Sequence, residues 1–528
     1  MAAIKDQSED MLSKYTDYDS LHQFYEACVN RYRDNVFIRY KVPNAFEFKT
    51  LTYSQVDIIV THLANRWKST LRTTKSNNNE DNHNIETTKL CIAVLTDNPT
   101  HAVLTFFAAL KLGYIYFCLS FYNSQEAIVY LLKESSTCFL VTSEANREIA
   151  IKCTNTLGER DGVHIQVDDD PFDIDGILSQ QESNPVMQQS SLDNEQQQEK
   201  KHQATFKENP LDTVAYMHTS GSTGLPKLIP CSTQSMLFSI LGHIIHPNQQ
   251  QNSGDLSSRP EELPIMSTDT LAYSSTVFIS HAEYVFLIPI MLAGASVLLF
   301  DGKPLAPSKQ LEAIKECGVT CMIVLPFDLV AMSEYLESVA DRATNQQNAM
   351  ILQSLKFCLY YGAPLQISTG DYLRSKGMNL QSMYGTTETS GLLLSNLSKN
   401  NNRWYDFTPS PALMHYATFE PYGDNLYHLV IHNDYPSLAK GFGNRPNGDF
   451  ATNDLFAKNV QESLGNFTSW THIGRIDDAI NISYGSKVLP RPIEDEIRRE
   501  DIVQQCIVIG NNRKCTAVLV ELDYEKAM

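Results

Sequence analysis

The stretch Thr219-Ser220-Gly221-Ser222-Thr223-Gly224-Leu225-Pro226-Lys227 gathers the groups best suited to a polyphosphate. Gly221 and Gly224 free the backbone to expose its N–H groups. Thr219, Ser220, Ser222 and Thr223 add hydroxyls, and Lys227 adds a point charge. Amide and hydroxyl donors satisfy phosphate oxygens, and the ammonium offsets their charge. The pattern is not the Walker one, because no Gly-Lys-Ser/Thr ends the loop. Composition alone would favour a Ser/Gly-rich surface loop. The closing Pro-Lys and the ordered run in front favour the phosphate loop.

That loop needs rigid flanks. Val214 to Met217 reads as a strand in front of it, and an apolar helix-like run opens at Met236 behind it. Upstream, Leu90 to Leu95 and Tyr114 to Leu119 read as strands. His101 to Gly113 and Gln125 to Glu134 read as helices, the first ending on a glycine suited to a left-handed C-terminus. Strands alternating with helices predict an α/β fold with parallel sheets flanked by helices. Downstream, strands are expected at Thr320 to Leu325 and Leu355 to Tyr360, with a helix at Leu311 to Cys317. The tail reads as one helix and two strands, Cys506 to Ile509 and Thr516 to Leu522. Polar segments near 73–88, 180–206 and 247–264 read as exposed insertions, the second as a disordered loop.

The chain has 528 residues, 42% hydrophobic, enough for a large core and more than one lobe. Its net charge is −19 and no Lys/Arg-rich run appears, which excludes a basic nucleic-acid-binding face. Eleven cysteines show neither a disulfide framework nor a Cys-x-x-Cys metal pattern, so reduced buried thiols are expected. The longest apolar run, Val285 to Phe300, is short for a membrane span and is interrupted by Pro289 and Gly294. A cytoplasmic location, with no membrane or nucleic-acid partner, is the expectation.

The order of residues from Thr219 to Lys227 resembles the phosphate loop of the adenylate-forming superfamily, which contains acyl-CoA ligases, luciferases and the adenylation domains of peptide synthetases. Other stretches follow in that family's order. Leu51 to Val56 resembles its first motif, and Leu110-Lys111-Leu112-Gly113-Tyr114 with Tyr116 its second. Gly362-Ala363-Pro364 resembles the segment lining the adenine pocket, although the tripeptide alone is as readily a plain turn. Met383-Tyr384-Gly385-Thr386-Thr387-Glu388-Thr389 resembles the Tyr-Gly-x-Thr-Glu motif without departure. There Tyr384 can stack on a base, Thr387 can donate to the α-phosphate, and Glu388 is a hard oxygen ligand suited to Mg²⁺. Taken alone, Thr-Thr-Glu is also a helix-capping pattern. Gly448 to Phe456 resembles a motif that usually reads Thr-Gly-Asp. Asn453 replaces the glycine and tolerates the same positive φ, and Asp454 would accept both ribose hydroxyls. Gly474-Arg475-Ile476-Asp477-Asp478 resembles the start of the small C-terminal lobe. Arg475 would contact ribose or phosphate, Asp477 would be the hinge, and Gly485 would border the path of a phosphopantetheine thiol.

The resemblance implies a large multi-subdomain N-terminal lobe, residues 1–473, and a small α+β C-terminal lobe from 474 to 528. It implies conversion of a carboxylic acid and Mg-ATP into acyl-adenylate and pyrophosphate. His281 lies thirteen residues before Gly294. On spacing alone it reads as a core histidine. In amino-acid-activating relatives the matching position is an aspartate that pairs with the α-amine, so His281 implies an aryl, keto or aliphatic acid instead. The chain ends 528 − 477 = 51 residues after the hinge aspartate. Lys514 and Lys526 do not match the family's late catalytic lysine, so that lysine is expected to be missing and the chain to be a fragment. Trp404-Tyr405-Asp406-Phe407 and Asn453 to Phe456 look similar to fungal carboxylic acid reductases. Those join adenylation to a downstream carrier bearing phosphopantetheine and a reductase using NADPH. A stand-alone acyl- or aryl-CoA ligase, with coenzyme A as partner, and a non-catalytic nucleotide-binding protein are the alternatives.

Overall fold

The computed structural model describes residues 18–42, 45–76, 89–161, 165–168, 172–182, 209–219, 225–241, 265–273, 281–300, 302, 304–395, 403–410, 413–461, 467–483, 487–500 and 502–523. They fall into two compact units, Met1–Leu241 with Pro264–Met322, and Gly242–Leu263 with Ile323–Met528.

The first unit is built on a six-stranded sheet. Its strands are β1 (Cys91–Leu95), β2 (Ile115–Cys118), β3 (Thr137–Thr142), β4 (Gln166–Asp168), β5 (Thr213–Thr219) and β6 (Lys227–Ser232), in the spatial order β4-β3-β1-β2-β5-β6. All pairs are parallel except β5 with β6. β1 is the unbroken apolar run Cys-Ile-Ala-Val-Leu and is buried throughout, as a central parallel strand must be. Helix α1 (Pro99–Lys111) begins where the Asn98 side chain accepts from the Thr100 and His101 amides. It ends before Gly113, at φ +69°, the left-handed stop the sequence foretold. Helix α2 (Gln125–Glu134) is capped by the Ser124 hydroxyl and presents Ile128, Leu131 and Leu132 to the core beneath β1 and β3. The parallel α/β expectation is met here. A second sheet region of this unit pairs Val36–Lys41 with Ser296–Leu299 in parallel and with Phe48–Thr52 antiparallel.

The second unit is mostly antiparallel. Strands β7 (Phe357–Tyr360) and β8 (Leu380–Thr386) are parallel. Beyond β8 come β9 (Ser390–Ser395), β10 (Phe407–Thr408), β13 (Phe467–Arg475), β12 (Phe450–Gln461), β11 (Leu426–Ile431) and Ala417–Gly423, each antiparallel to the last. Helix α4 (Pro490–Ile497) and the hairpin β14 (Val503–Ile509) with β15 (Ala517–Leu522) follow, as the sequence of the tail foretold.

All eleven cysteines are free, and burial pushes the thiols of Cys91 and Cys231 up to about 12, which keeps them unreactive. Of the polar insertions, residues 77–88, 183–206 and 247–264 lie outside the described residues. The flanking 73–76 and 180–182 are instead helix ends. Among the described residues no helix is long and apolar enough to cross a membrane.

Candidate active site

In the first unit, Thr219 and Lys227 are paired residues at the loop end of the β5–β6 hairpin. Lys227–Ser232 behind the loop is a strand, and the helix follows from Thr233, three residues before the expected Met236. The loop 220–226 is closed by that pair. Lys227 is exposed, and no partner for its ammonium is present among the described residues. Ser220, Gly221, Ser222, Thr223 and Gly224 lie outside the described residues. His281 is the first residue of helix α3 (His281–Ala293), and its side chain lies outside them too.

The remaining candidates sit in the second unit. Gly362, Ala363 and Pro364 follow β7 after Tyr361 and are exposed. Gly362 has φ +91° and no crowding neighbour, so backbone conformation rather than space calls for glycine. Tyr384, Gly385 and Thr386 end β8, and Thr387 to Thr389 form the turn into β9. The helix-cap reading of Thr-Thr-Glu fails, because no helix follows. The turn is tied by Thr389 N–H to Thr386 O at 3.2 Å and by the Thr386 and Thr389 hydroxyls at 3.0 Å. At Gly385 a Cβ would stand 2.2 Å from the Ser390 carbonyl oxygen, so no side chain fits. Glu388 is held by its backbone, whose carbonyl accepts from Ala439 N–H at 2.7 Å. Its carboxylate is half-buried and has no hydrogen-bond or ion-pair partner among the described residues.

Asp454, near the start of β12, is the centre of the best-defined cluster. It is buried, 4% exposed. Tyr384 Oη donates to its Oδ2 at 2.8 Å, and His472 Nε2 lies 2.8 Å from its Oδ1. Arg475, its partner residue on β13, places Nη1 3.9 Å from Oδ2. Burial first, then the Asp454 charge, holds the Tyr384 hydroxyl well above the ordinary tyrosine range, so it stays a donor. The Tyr384 ring packs edge-on to Phe456 at 5.1 Å and near His472 at 5.7 Å.

Asn453 has φ +63°, the conformation expected of the residue standing in for glycine. Its side-chain amide donates to Asp477 at 3.2 Å, and Asp477 also meets Arg475 at 3.3 Å. The Asn453 backbone N–H donates to His428 Nε2 at 3.0 Å. Burial, then the nearby Arg445, holds the His428 imidazole below its usual range and leaves that nitrogen an acceptor.

Thus Tyr384, Asp454, Arg475 and Asp477 are brought together, whereas Thr219 and Lys227 belong to the other unit. Sequence reasoning missed His472 and Arg491. Arg491 Nη1, from α4, lies 2.7 Å from His472 Nδ1. A lone histidine in a strand and an arginine nineteen residues later carry no periodicity or motif that joins them. Gly485 lies outside the described residues.

A family model described as AMP-binding enzyme matches residues 25–412, and one described as AMP-binding enzyme C-terminal domain matches 477–528. The chain is 26% identical over 319 residues to an adenylate-forming reductase of Stachybotrys bisbyi, covering 60% of this chain and 26% of that protein. It is 24% identical over 325 residues to a carboxylic acid reductase of Neurospora crassa, covering 60% of this chain and 29% of that protein. The matches span little more than a quarter of those relatives' lengths. Among solved structures, O-succinylbenzoate coenzyme A synthetase from Bacillus subtilis, in complex with ATP and magnesium ion, superposes with a TM-score of 0.65 at 16% identity. The alignment covers 95% of this chain and 89% of that one. This likeness establishes the same fold, a large N-terminal lobe with a small C-terminal domain.

Proposed function

The chain belongs to the AMP-binding enzyme family, and from that premise we propose that it adenylates a carboxylic acid, consuming ATP and releasing pyrophosphate. The supporting observation is the Asp454 cluster: a buried carboxylate oriented by two donors, with Arg475 beside it. In this reading Asp454 accepts the ribose hydroxyls and Tyr384 flanks the base with Gly362, Ala363 and Pro364. Arg475 faces ribose or phosphate, Thr387 donates to the α-phosphate, and the loop from Thr219 to Lys227 holds the outer phosphates. Gly385 and Thr386 shape the turn. Catalysis is then positioning and charge neutralisation for attack of the acid on the α-phosphorus.

Glu388 fits a hard cation. Among the described residues its half-buried carboxylate has no internal partner, and no group of three or more His, Cys, Asp or Glu side chains is placed to hold a metal. Glu388 would therefore share Mg²⁺ with phosphate oxygens and water. A bound magnesium would supply neutralisation of phosphate charge.

We assign the acid to the aryl, keto or aliphatic class on His281, and the reaction to the first half of a carboxylic acid reductase on the reductase relatives. The later half would use a phosphopantetheine carrier and an NADPH-dependent domain. Residues 474–528 would form the C-terminal lobe, pivoting at Asp477. The free cysteines support a cytoplasmic setting. Acid-dependent ATP–pyrophosphate exchange with benzoic, cinnamic, keto, aliphatic and amino acids tests this. Exchange with one non-amino acid class is expected. Efficient exchange with phenylalanine or leucine would overturn the substrate class, and no exchange with any acid would overturn the activity. Thiol capture then separates the two couplings: acyl transfer to a carrier supports the reductase, and transfer to coenzyme A a ligase.

A further inference from the structure

The Asp454 cluster extends one step beyond the residues that face a nucleotide. Arginine can only donate, so the 2.7 Å contact from Arg491 Nη1 makes His472 Nδ1 an acceptor. The ring is therefore neutral with its proton on Nε2, and that proton points at Asp454 Oδ1, 2.8 Å away. Arg491 thus dictates the tautomer of His472, and the tautomer dictates what His472 gives to Asp454. A protonated ring, or one with its proton on Nδ1, would set two N–H groups against each other.

The surroundings hold this line of groups in place. Phe456 lies edge-on to the His472 ring at 5.3 Å, and the Tyr384 ring is inclined at 32° to it. Arg491 leaves only 27% of its side chain exposed, and its Nε is anchored by Asp495 at 3.4 Å, one turn along α4. The α4 helix is itself fastened where Gln366 Nε2 donates to Arg498 O at 3.2 Å. With Tyr384 on one oxygen and His472 on the other, the plane of the Asp454 carboxylate cannot turn. About two of its four lone-pair sites remain for a ligand, one on each oxygen.

We propose that His472 and Arg491 are positioning residues for ribose recognition: Arg491 fixes the His472 tautomer, and His472 fixes the Asp454 carboxylate for a vicinal diol. This rests on the reading of Asp454 as the ribose acceptor. Arg491 lies in the span matched by the C-terminal family model and His472 on β13 before it, so recognition of the sugar depends on where α4 sits. By linkage, a ligand that needs the oriented carboxylate favours the placement of α4 that supplies Arg491.

The test is discrimination between sugars, which a merely structural role would not alter. Calorimetric binding of ATP is compared with 2′-deoxy-ATP and 3′-deoxy-ATP for the full chain and its variants. The unaltered chain is expected to prefer ATP by about tenfold or more, the worth of a charge-assisted hydrogen bond. His472→Phe keeps the ring volume but not the donor and should bring the preference to within about threefold. His472→Gln, which can accept from Arg491 and donate to Asp454, should restore most of it. Arg491→Lys should retain more of it than Arg491→Ala. If His472→Phe does not fold, Arg491→Ala carries the decision. Wild-type preference in His472→Phe or Arg491→Ala, with that preference lost in Asp454→Ala, overturns the relay and leaves the ribose assignment standing. Preference retained in Asp454→Ala, or no ATP binding by the unaltered chain, overturns the ribose assignment and the relay with it.

Discussion

Two buried aspartates of the second unit, Asp406 just before β10 and Asp454 on β12, flank the same strand β13 yet do opposite jobs. Asp406, 2% exposed, receives donors from Arg403 Nε and Nη2, Asn459 Nδ2, Ser469 Oγ and Thr471 Oγ1. That exceeds the roughly four lone-pair sites a carboxylate offers. Among the described residues Asp454 receives only Tyr384 and His472 at hydrogen-bonding distance, with Arg475 further off. Saturation marks a structural carboxylate, since nothing remains to give a ligand. Incomplete satisfaction in a buried setting marks a binding one, because the unmet capacity costs free energy until a ligand supplies it. Glu388 is the extreme case, with no internal partner among the described residues.

The largest effect should follow Asp406→Ala. It strands the Arg403 charge and several hydroxyl and amide donors around β10, β12 and β13, and should cost about 3 kcal/mol or more of stability. Chemical denaturation measures this. In the folded fraction, ATP affinity should be unchanged. A loss of affinity without a loss of stability would break the contrast with Asp454.

Glu388→Gln should act in the opposite sense. With no internal partner to lose among the described residues, the variant should unfold within about 0.5 kcal/mol of the parent. Removing one charged oxygen from a magnesium site should slow pyrophosphate exchange by about a hundredfold. Chelating magnesium should abolish exchange in the parent. Unchanged magnesium dependence in the variant would remove Glu388 from the metal.

Asp454→Asn comes next. The amide keeps an oxygen for His472 and nearly the same shape, so stability should fall by about 1 kcal/mol. The charge and the second acceptor are gone, and ATP affinity should drop about tenfold. An equal fall in stability for Asp454→Asn and Asp406→Asn would mean that both carboxylates are structural.

The contrast also explains what could be read in advance. The β1 run and the α1 stop at Gly113 were legible because each is local: an unbroken apolar run and a glycine. Tyr384, Asp454 and Arg475 were legible as motifs, and the fold brings them together. Their degree of satisfaction was not, since it depends on which donors arrive from other strands. Asp406 and Asp454 look alike in sequence, and only the pairing of β10, β12 and β13 separates them. His472 and Arg491 were missed for the same reason. Their contact joins a strand to a helix across nineteen residues, and neither neighbourhood hints at the other. Thr387 and Glu388 carried a second, local reading as a helix cap, which the antiparallel return into β9 forbids.

The smallest effect probes the one place where the sequence departs from its family beside Asp454. Asn453 holds φ +63° and spends its side chain on exposed Asp477. If the position is chosen for backbone conformation, Asn453→Gly should lie within about 0.5 kcal/mol of the parent, and Asn453→Ala should cost about 1 kcal/mol, because alanine keeps the Cβ but loses the short polar side chain that lets asparagine tolerate the left-handed region. ATP affinity should follow neither change, because the turn still delivers Asp454 to Tyr384 and His472. If instead glycine weakens ATP binding as much as Asp454→Asn does, the amide contact to Asp477 is itself part of how the carboxylate is presented. The binding cluster would then reach from Tyr384 to Asp477, and the line between structural and binding residues would have to be drawn beyond Asn453.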